Sequence, residues 1–164
     1  MDLKIYKLED LILTALKAED ESKSIYSKLA SKVDNYLLKE RFIFLANEES
    51  KHYQIFKKIY EQDFPNKTIK LPKENPVPLP QINLATENIP ISQILQDAMN
   101  AEINAHDFYL GIAERYNNKP QIKNMLLYIA KMELGHYRLI EIEKENAEKF
   151  EGFNIEFPLM HVGP

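Results

Sequence analysis

Two glutamates in this chain are each followed, three residues later, by a histidine: Glu49 with His52, and Glu133 with His136. On an α-helix, residues three apart lie on one face, about 4.5 Å apart along the axis. A carboxylate and an imidazole so placed can bind the same metal ion or two neighbouring ions. The flanking residues match as well, since both copies read apolar-Ala-x-x-Glu-x-x-His-Tyr. The two motifs therefore predict a metal-binding unit that occurs twice.

A second pattern also occurs twice, once ahead of each motif. Glu19 and Glu102 each follow an alanine, and each is followed by the spacing x5-apolar-Tyr-x3-Ala. Both glutamates fall on the apolar stripe of a helix, where an ionised carboxylate is very costly unless it is paired or binds a metal. We therefore interpret the chain as two copies of one helical hairpin, which would meet about a pseudo-twofold axis.

Four buried carboxylates would repel one another without metal, and some would have to take up protons. Two divalent ions balance the four negative charges, and two histidines then serve as neutral ligands. The alternative, in which these residues form solvated pairs on helix surfaces, does not explain their matched positions in the two halves. Mixed carboxylate and imidazole ligation suits iron or manganese, and zinc is also acceptable. The predicted metal ligands are Glu19, Glu49, His52, Glu102, Glu133 and His136.

Tyr26 and Tyr109 each lie two helical turns after one of the upstream glutamates, on the same face. Either hydroxyl could donate a hydrogen bond to a carboxylate ligand across the bundle, so both are candidate catalytic residues. The alternative is a core aromatic whose hydroxyl is satisfied elsewhere. His106, one turn after Glu102, is predicted to be a satisfied or partly exposed histidine and not a metal ligand. Gly135 is interpreted as permitting a close approach to the site.

Four segments with apolar residues at alternating steps of three and four must position these side chains. They form two predicted hairpins, 8–61 and 91–150, each with a short internal turn that implies antiparallel neighbours. Residues 62–90 hold six of the nine prolines and cannot be helical throughout. One long crossover between two hairpins is the ferritin-like connection, whereas a flexible linker would leave each hairpin unable to bury its stripe. We therefore predict an all-α, antiparallel four-helix bundle, a single domain over 1–164 with a C-terminal tail at 151–164.

The composition limits the classes of function that remain. At 164 residues the chain is long enough for one domain with a core, and it contains no Cys, which excludes disulfides, Cys-ligated metal sites and a thiol nucleophile. A net charge of −4 without a dense basic run predicts no nucleic-acid partner. No apolar run approaches the roughly 20 residues of a membrane span, and the N-terminus lacks the apolar core of a secretory signal. We therefore expect a soluble, cytoplasmic protein without a membrane partner.

The order Glu, Glu-x-x-His, Glu, Glu-x-x-His resembles the rubrerythrin branch of the ferritin-like superfamily, including its erythrin-like members, over about residues 8–145. The resemblance implies two iron ions bridged by Glu49 and Glu133. It makes Glu19 and Glu102 terminal ligands and places one histidine on each ion. It also implies an oxidoreductase that reduces hydrogen peroxide or dioxygen, with a role in oxidative stress.

Two features depart from a typical rubrerythrin. Because the chain has no Cys, it lacks the rubredoxin-like domain, and we expect electrons from a separate donor such as a rubredoxin-like protein. Ala105 stands where the third helix of a typical rubrerythrin carries a second glutamate, which leaves a symmetric site similar to that of bacterioferritins. The open alternatives are a ferroxidase or iron-storage protein, a di-metal oxygenase acting on an organic substrate, and a metal-free interaction bundle. We expect a homo-oligomer, with a dimer favoured.

Overall fold

The computed structural model describes residues 3–79 and 90–156 of the chain. A short 3₁₀ helix at Leu3–Ile5 precedes the first α-helix, another at Glu114–Tyr116 follows the third, and the described residues contain no strand. The four α-helices are α1 at Leu8–Lys32, α2 at Tyr36–Asp63, α3 at Ile91–Ala113 and α4 at Pro120–Glu156. The predicted all-α class is thus confirmed.

The helices pack as two hairpins, α1 against α2 and α3 against α4, and the two hairpins contact each other through both pairs of equivalent helices. This arrangement confirms the predicted four-helix bundle. Local signals explain the turns within the hairpins. Asn35 caps α2, because its Oδ1 accepts a hydrogen bond from Leu38 N at 3.0 Å. Pro120 is the first residue of α4. A backbone N–H at this position has no acceptor within the helix, so proline costs no hydrogen bond there.

The described part of the crossover, residues 64–79, forms no regular helix or strand and is attached to the bundle at α1. Lys17 Nζ donates a hydrogen bond to Lys73 O at 2.6 Å. Val77 is fully buried in the apolar core. Residues 80–89, the remainder of the predicted crossover apart from Pro90, lie outside the described residues.

The apolar core consists of two clusters, one toward each end of the bundle. The first includes Leu16 and Phe56, and the second includes Phe42 and Ile140. Each of the four helices contributes residues to both clusters. On each helix, the predicted ligands lie between the residues of the first cluster and those of the second. The bundle therefore holds a polar layer at its middle, closed by apolar packing on both sides.

The helix α4 continues to Glu156. It therefore extends past residue 151, where the sequence predicts that the C-terminal tail begins. Glu151 gives a physical reason for the extension. Its carboxylate accepts hydrogen bonds from Ser92 N at 3.2 Å and from Ser92 Oγ at 2.6 Å, which attaches the end of α4 to the first turn of α3. Residues 157–164 lie outside the described part. Within that part, no helix combines the length and the apolarity needed to span a bilayer.

Candidate metal centre

The six predicted ligands meet in the polar layer, and each is at most 4% exposed. One comes from α1, two from α2, one from α3 and two from α4. Four of them form the centre of the cluster, because ligand atoms of Glu49, His52, Glu133 and His136 all lie within 4.8 Å of one another. A carboxylate and imidazole cluster of this compactness can hold a metal ion.

The other two glutamates each approach one histidine. Glu19 Oε2 lies 3.7 Å from His52 Nδ1, and Glu102 Oε2 lies 3.5 Å from His136 Nδ1. The first contact joins α1 to α2, and the second joins α3 to α4. Each hairpin therefore provides one glutamate–histidine pair of its own.

Glu49 and Glu133, in contrast, lie close to both histidines. His52 Nδ1 is 3.7 Å from Glu49 Oε2 and 2.9 Å from Glu133 Oε1. His136 Nδ1 is 3.2 Å from Glu49 Oε1 and 3.0 Å from Glu133 Oε2. The two imidazole rings stack with their centroids 5.4 Å apart. The geometry thus divides the four glutamates into two that adjoin a single histidine and two that lie between both.

Several buried polar atoms of the cluster have no hydrogen-bond partner among the described residues. Buried polar groups are nearly always hydrogen-bonded, and an unpaired one costs about 1–3 kcal/mol. Even the short contact between His52 Nδ1 and Glu133 Oε1 does not have hydrogen-bond geometry. A metal ion would satisfy such oxygens and nitrogens, so the donor set fits one. The unpartnered atoms are Glu19 Oε2, Glu49 Oε1, His52 Nδ1, Glu133 Oε1 and His136 Nε2.

Two tyrosines each hold a glutamate of the opposite hairpin. Tyr26 Oη donates a hydrogen bond to Glu102 Oε1, and Tyr109 Oη donates one to Glu19 Oε1 at 2.6 Å. Burial raises the pKa of both tyrosines well above the usual range, so each hydroxyl remains a donor. The hydrogen bonds that the sequence predicted across the bundle are therefore present, at matched positions of the two halves.

Burial and mutual repulsion determine the protonation of the two outer glutamates when no metal is bound. Burial raises the pKa of Glu19 well above its usual range, and the charges of Glu49 and Glu133 raise it further. Burial and the charge of Glu49 raise the pKa of Glu102 in the same way. Both outer glutamates therefore favour the neutral, protonated form in the metal-free protein.

The inner part of the cluster carries charge. Burial opposes ionisation of Glu49, but interactions with the nearby Glu19, His136 and His52 side chains outweigh it and lower its pKa. Burial also acts to lower the pKa of the histidines, but the surrounding carboxylates favour the protonated imidazoles, raise the pKa of His136 to about 12 and raise that of His52 as well. In the metal-free protein, protons on the histidines thus compensate the carboxylate charge that a cation would otherwise balance.

Three nearby positions lie outside this donor set. Glu48 pairs with Lys51 at 2.5 Å. His106 Nδ1 lies 2.6 Å from Ala130 O, which confirms that a protein partner satisfies this histidine. The interpretation of Gly135 as a close approach is wrong, because a Cβ placed there meets no described atom within 4 Å and the residue is exposed. Its place two residues after one ligand turns it to the opposite side of the helix.

Sequence reasoning missed two features beside the cluster. Phe44 is 44% exposed and contacts His136 edge-on, with ring centroids 6.3 Å apart. A cavity of about 270 Å³ lies between α1 and α3, and Asn75 of the crossover lines it. No periodic pattern marks either residue, since Phe44 lies off the apolar stripe of α2 and Asn75 belongs to an irregular segment.

Comparison with known proteins covers the same part of the chain. The family model described as Rubrerythrin matches residues 10–144, a range that contains every residue of the cluster. A solved structure described as a hypothetical protein from Pyrococcus furiosus is similar, with a TM-score of 0.81 and 34% sequence identity, over 90% of this chain and 94% of that chain. No curated protein matches.

Proposed function

Because the chain belongs to the rubrerythrin family, we propose that it is an oxidoreductase that reduces hydrogen peroxide at a two-iron centre, with electrons from a separate donor protein. The observation that carries the proposal is the buried cluster of four glutamates and two histidines with unpartnered ligand atoms. Two iron ions, when bound, supply one electron each to a two-electron reduction. Hydrogen peroxide takes up these electrons and two protons, its O–O bond breaks, and two water molecules are released.

The contacts within the cluster support a specific assignment of ligands. Each hairpin provides one glutamate–histidine pair, and we assign each pair to one ion. Glu49 and Glu133, which lie within 3.7 Å of both histidines, would each be able to hold both ions. Four carboxylates neutralise two divalent ions, and neutral imidazoles complete the donor set. Manganese and zinc suit the same donors, but zinc would supply no electrons.

Tyr26 and Tyr109 are positioning residues in this proposal. Each hydroxyl holds one oxygen of a glutamate from the opposite hairpin, which leaves the other oxygen of that carboxylate free to face a metal. For Glu19 the oxygen left in this way, Oε2, is the one that has no hydrogen-bond partner among the described residues. The apolar clusters close the layer toward both ends of the bundle.

Phe44 supports the entry of electrons from a separate protein. Its ring reaches the surface, where 44% of the residue is exposed, and contacts the imidazole of His136. A donor that touches this ring would be one side chain away from an assigned ligand. The exposed edge of α2 beside α4 is therefore where we expect the donor to act.

Stopped-flow mixing of the iron-loaded, reduced protein with hydrogen peroxide, and separately with dioxygen, tests the proposed function. We expect peroxide to oxidise the protein faster than it oxidises free ferrous iron in the same buffer, and faster than dioxygen does. Glu48→Gln is the matched control, because the carboxylate of Glu48 pairs with Lys51 outside the donor set. Oxidation no faster than that of free ferrous iron would end the proposal.

A further inference from the structure

The cavity of about 270 Å³ adjoins the carboxylate cluster on the side where α1 and α3 face each other. Its buried end is formed by Glu49, Glu102 and Glu133, all at most 4% exposed. Glu49 and Glu133 each have a carboxylate oxygen without a hydrogen-bond partner among the described residues. Ser24 and Lys28, which are exposed, line its solvent-facing end. The cavity thus connects the protein surface with the assigned metal ligands.

Small side chains at matched positions of the two halves create this space. Ala18 and Ser22 line the cavity from α1, and Ala101 and Ala105 line it from α3. In each half, these positions lie one residue before and three residues after an outer glutamate of the cluster. A large side chain at any of the four would occupy part of the volume. The cavity therefore follows from the repeated pattern itself.

The crossover closes one side of the cavity. Asn75 and Leu79 line it, and the segment that carries them is held in place by the buried side chain of Val77 and by the hydrogen bond from Lys17 to Lys73. The Oδ1 atom of Asn75 is buried and has no hydrogen-bond partner among the described residues. Buried acceptors are nearly always hydrogen-bonded, so this atom is suited to accept from a ligand or from a bound water.

The cavity is much larger than hydrogen peroxide requires. A water molecule takes about 30 Å³ of liquid volume, and an apolar cavity of about 150 Å³ is enough to bind benzene. The volume of about 270 Å³ found here therefore has room for a small branched or aromatic group as well as an O–O unit. The alanine methyl groups and Leu79 on its walls favour an apolar group over a charged one.

We propose that this cavity binds the organic group of a small alkyl or aryl hydroperoxide, with the O–O unit toward the carboxylate end. The proposal rests on the proposed function and names the class of peroxide that the site selects. The O–O bond of the hydroperoxide ROOH breaks, two electrons and two protons are taken up, and the alcohol ROH and one water molecule are released. The electrons come from the external donor protein of the proposed function, and the protons come from solvent.

Binding is tested first, in the full-length chain kept free of redox-active metal so that the probe is not consumed. tert-Butyl hydroperoxide is titrated while the methyl signal of Ala18 is followed by NMR. We expect a saturable shift in the wild-type protein and a Kd raised at least about tenfold by Ala105→Leu, which fills the cavity. Asn104→Leu is the matched control, because Asn104 is the exposed neighbour on α3, and we expect its Kd to change by less than about twofold.

Ser22→Leu fills the same cavity from α1, so the test does not depend on the folding of a single variant. Circular dichroism identifies any variant that loses helix. The absence of a saturable shift in the wild-type protein would overturn the proposal, as would equal affinity in the filled variants and the Asn104→Leu control.

Steady-state kinetics then distinguishes a failure of the cavity assignment from a failure of the proposed function. With the iron-loaded chain, we expect the ratio of kcat/KM for tert-butyl hydroperoxide to kcat/KM for hydrogen peroxide to fall at least about tenfold in Ala105→Leu, and to stay within about twofold in Asn104→Leu. An unchanged ratio in Ala105→Leu would overturn the assignment of the cavity while both peroxides are still reduced. Intact binding without turnover of either peroxide by the wild-type protein would overturn the proposed function instead.

Discussion

Glu19→Gln changes the charge of the cluster without changing its shape. Glutamine is similar in size to a protonated glutamic acid, and its Oε1 can still accept the hydrogen bond that Tyr109 donates at 2.6 Å. Burial and the charges of Glu49 and Glu133 hold the pKa of Glu19 well above its usual range, so the metal-free wild type favours a neutral side chain there. We expect the substitution to change the free energy of unfolding of the metal-free protein by less than about 1 kcal/mol.

The same pKa shift fixes the sign of the pH dependence. Glu19 binds its proton more tightly in the folded than in the unfolded state, because its folded pKa lies above the usual 4.5. Its contribution to stability is therefore complete below the unfolded pKa and is lost as the pH rises through the folded pKa. Glutamine does not titrate, so the stability of the metal-free variant should fall less steeply with rising pH than that of the wild type.

Metal loading should make the wild-type protein clearly more stable than Glu19→Gln, although the two metal-free proteins are nearly equal in stability. A metal present at 100 times its Kd stabilises the folded state by about 2.7 kcal/mol. For a chain of this size, each kcal/mol raises the Tm by about 2–4 °C, which gives a metal-dependent increase of roughly 5–11 °C. An amide at position 19 does not neutralise a divalent ion, so we expect Glu19→Gln to lose most of this increase.

The assay is thermal unfolding of the metal-free and ferrous-loaded proteins under anaerobic conditions. Glu48→Gln is the matched control, because Glu48 is also buried on a neighbouring helix but pairs with Lys51, and it should keep the full increase in Tm. An equal metal-dependent increase in Glu19→Gln and wild type would refute the assignment of Glu19 as a ligand. A large destabilisation of the metal-free Glu19→Gln protein would refute the protonated state assigned to Glu19.

Tyr109→Phe removes the donor to Glu19 Oε1, so urea denaturation of the metal-free protein should give a free energy of unfolding lower by about 1–3 kcal/mol; an unchanged midpoint would contradict this. Gly135→Ala adds a methyl group that meets no described atom within 4 Å, so thermal unfolding should show a gain of about 0.5–1 kcal/mol, and a loss of stability would count against it. Metal must displace the protons that His52 and His136 hold, because their pKa is raised. Metal affinity should therefore increase with pH, and calorimetry in buffers of different ionisation enthalpy should detect proton release; binding without proton release would contradict the assigned charges.

The positions of the cluster could be predicted because two independent signals coincide at them. A glutamate such as Glu19 lies on an apolar stripe, and the same residue recurs at the matched position Glu102 in the second half. Helical spacing alone is then enough to place Tyr26 on the same face as Glu19, and its hydrogen bond with the opposite hairpin requires only that the two halves meet. The four-helix bundle follows from the same periodicity.

The surroundings of the cluster could not be predicted in this way. The cavity depends on the distance between α1 and α3 and on the path of the crossover, and Asn75 lies in a segment without periodicity. The expectation that Gly135 permits a close approach is wrong because it rested only on the position of Gly135 between two ligands in the sequence. The side of the helix on which a residue lies is set by the helical angle, which turns Gly135 away from the site. The length of α4 depends on a bond between Glu151 and Ser92, which are distant in sequence.

Anaerobic titration of the metal-free, full-length chain with ferrous iron tests the proposed two-metal cluster most directly. We predict saturation at about two iron ions per chain, as expected for a bundle with one glutamate and one Glu-x-x-His motif in each half. Glu19→Gln and Glu102→Gln should each weaken binding, because each removes one of the four balancing charges. Saturation at a single ion, no binding, or undiminished binding after both substitutions would contradict the account.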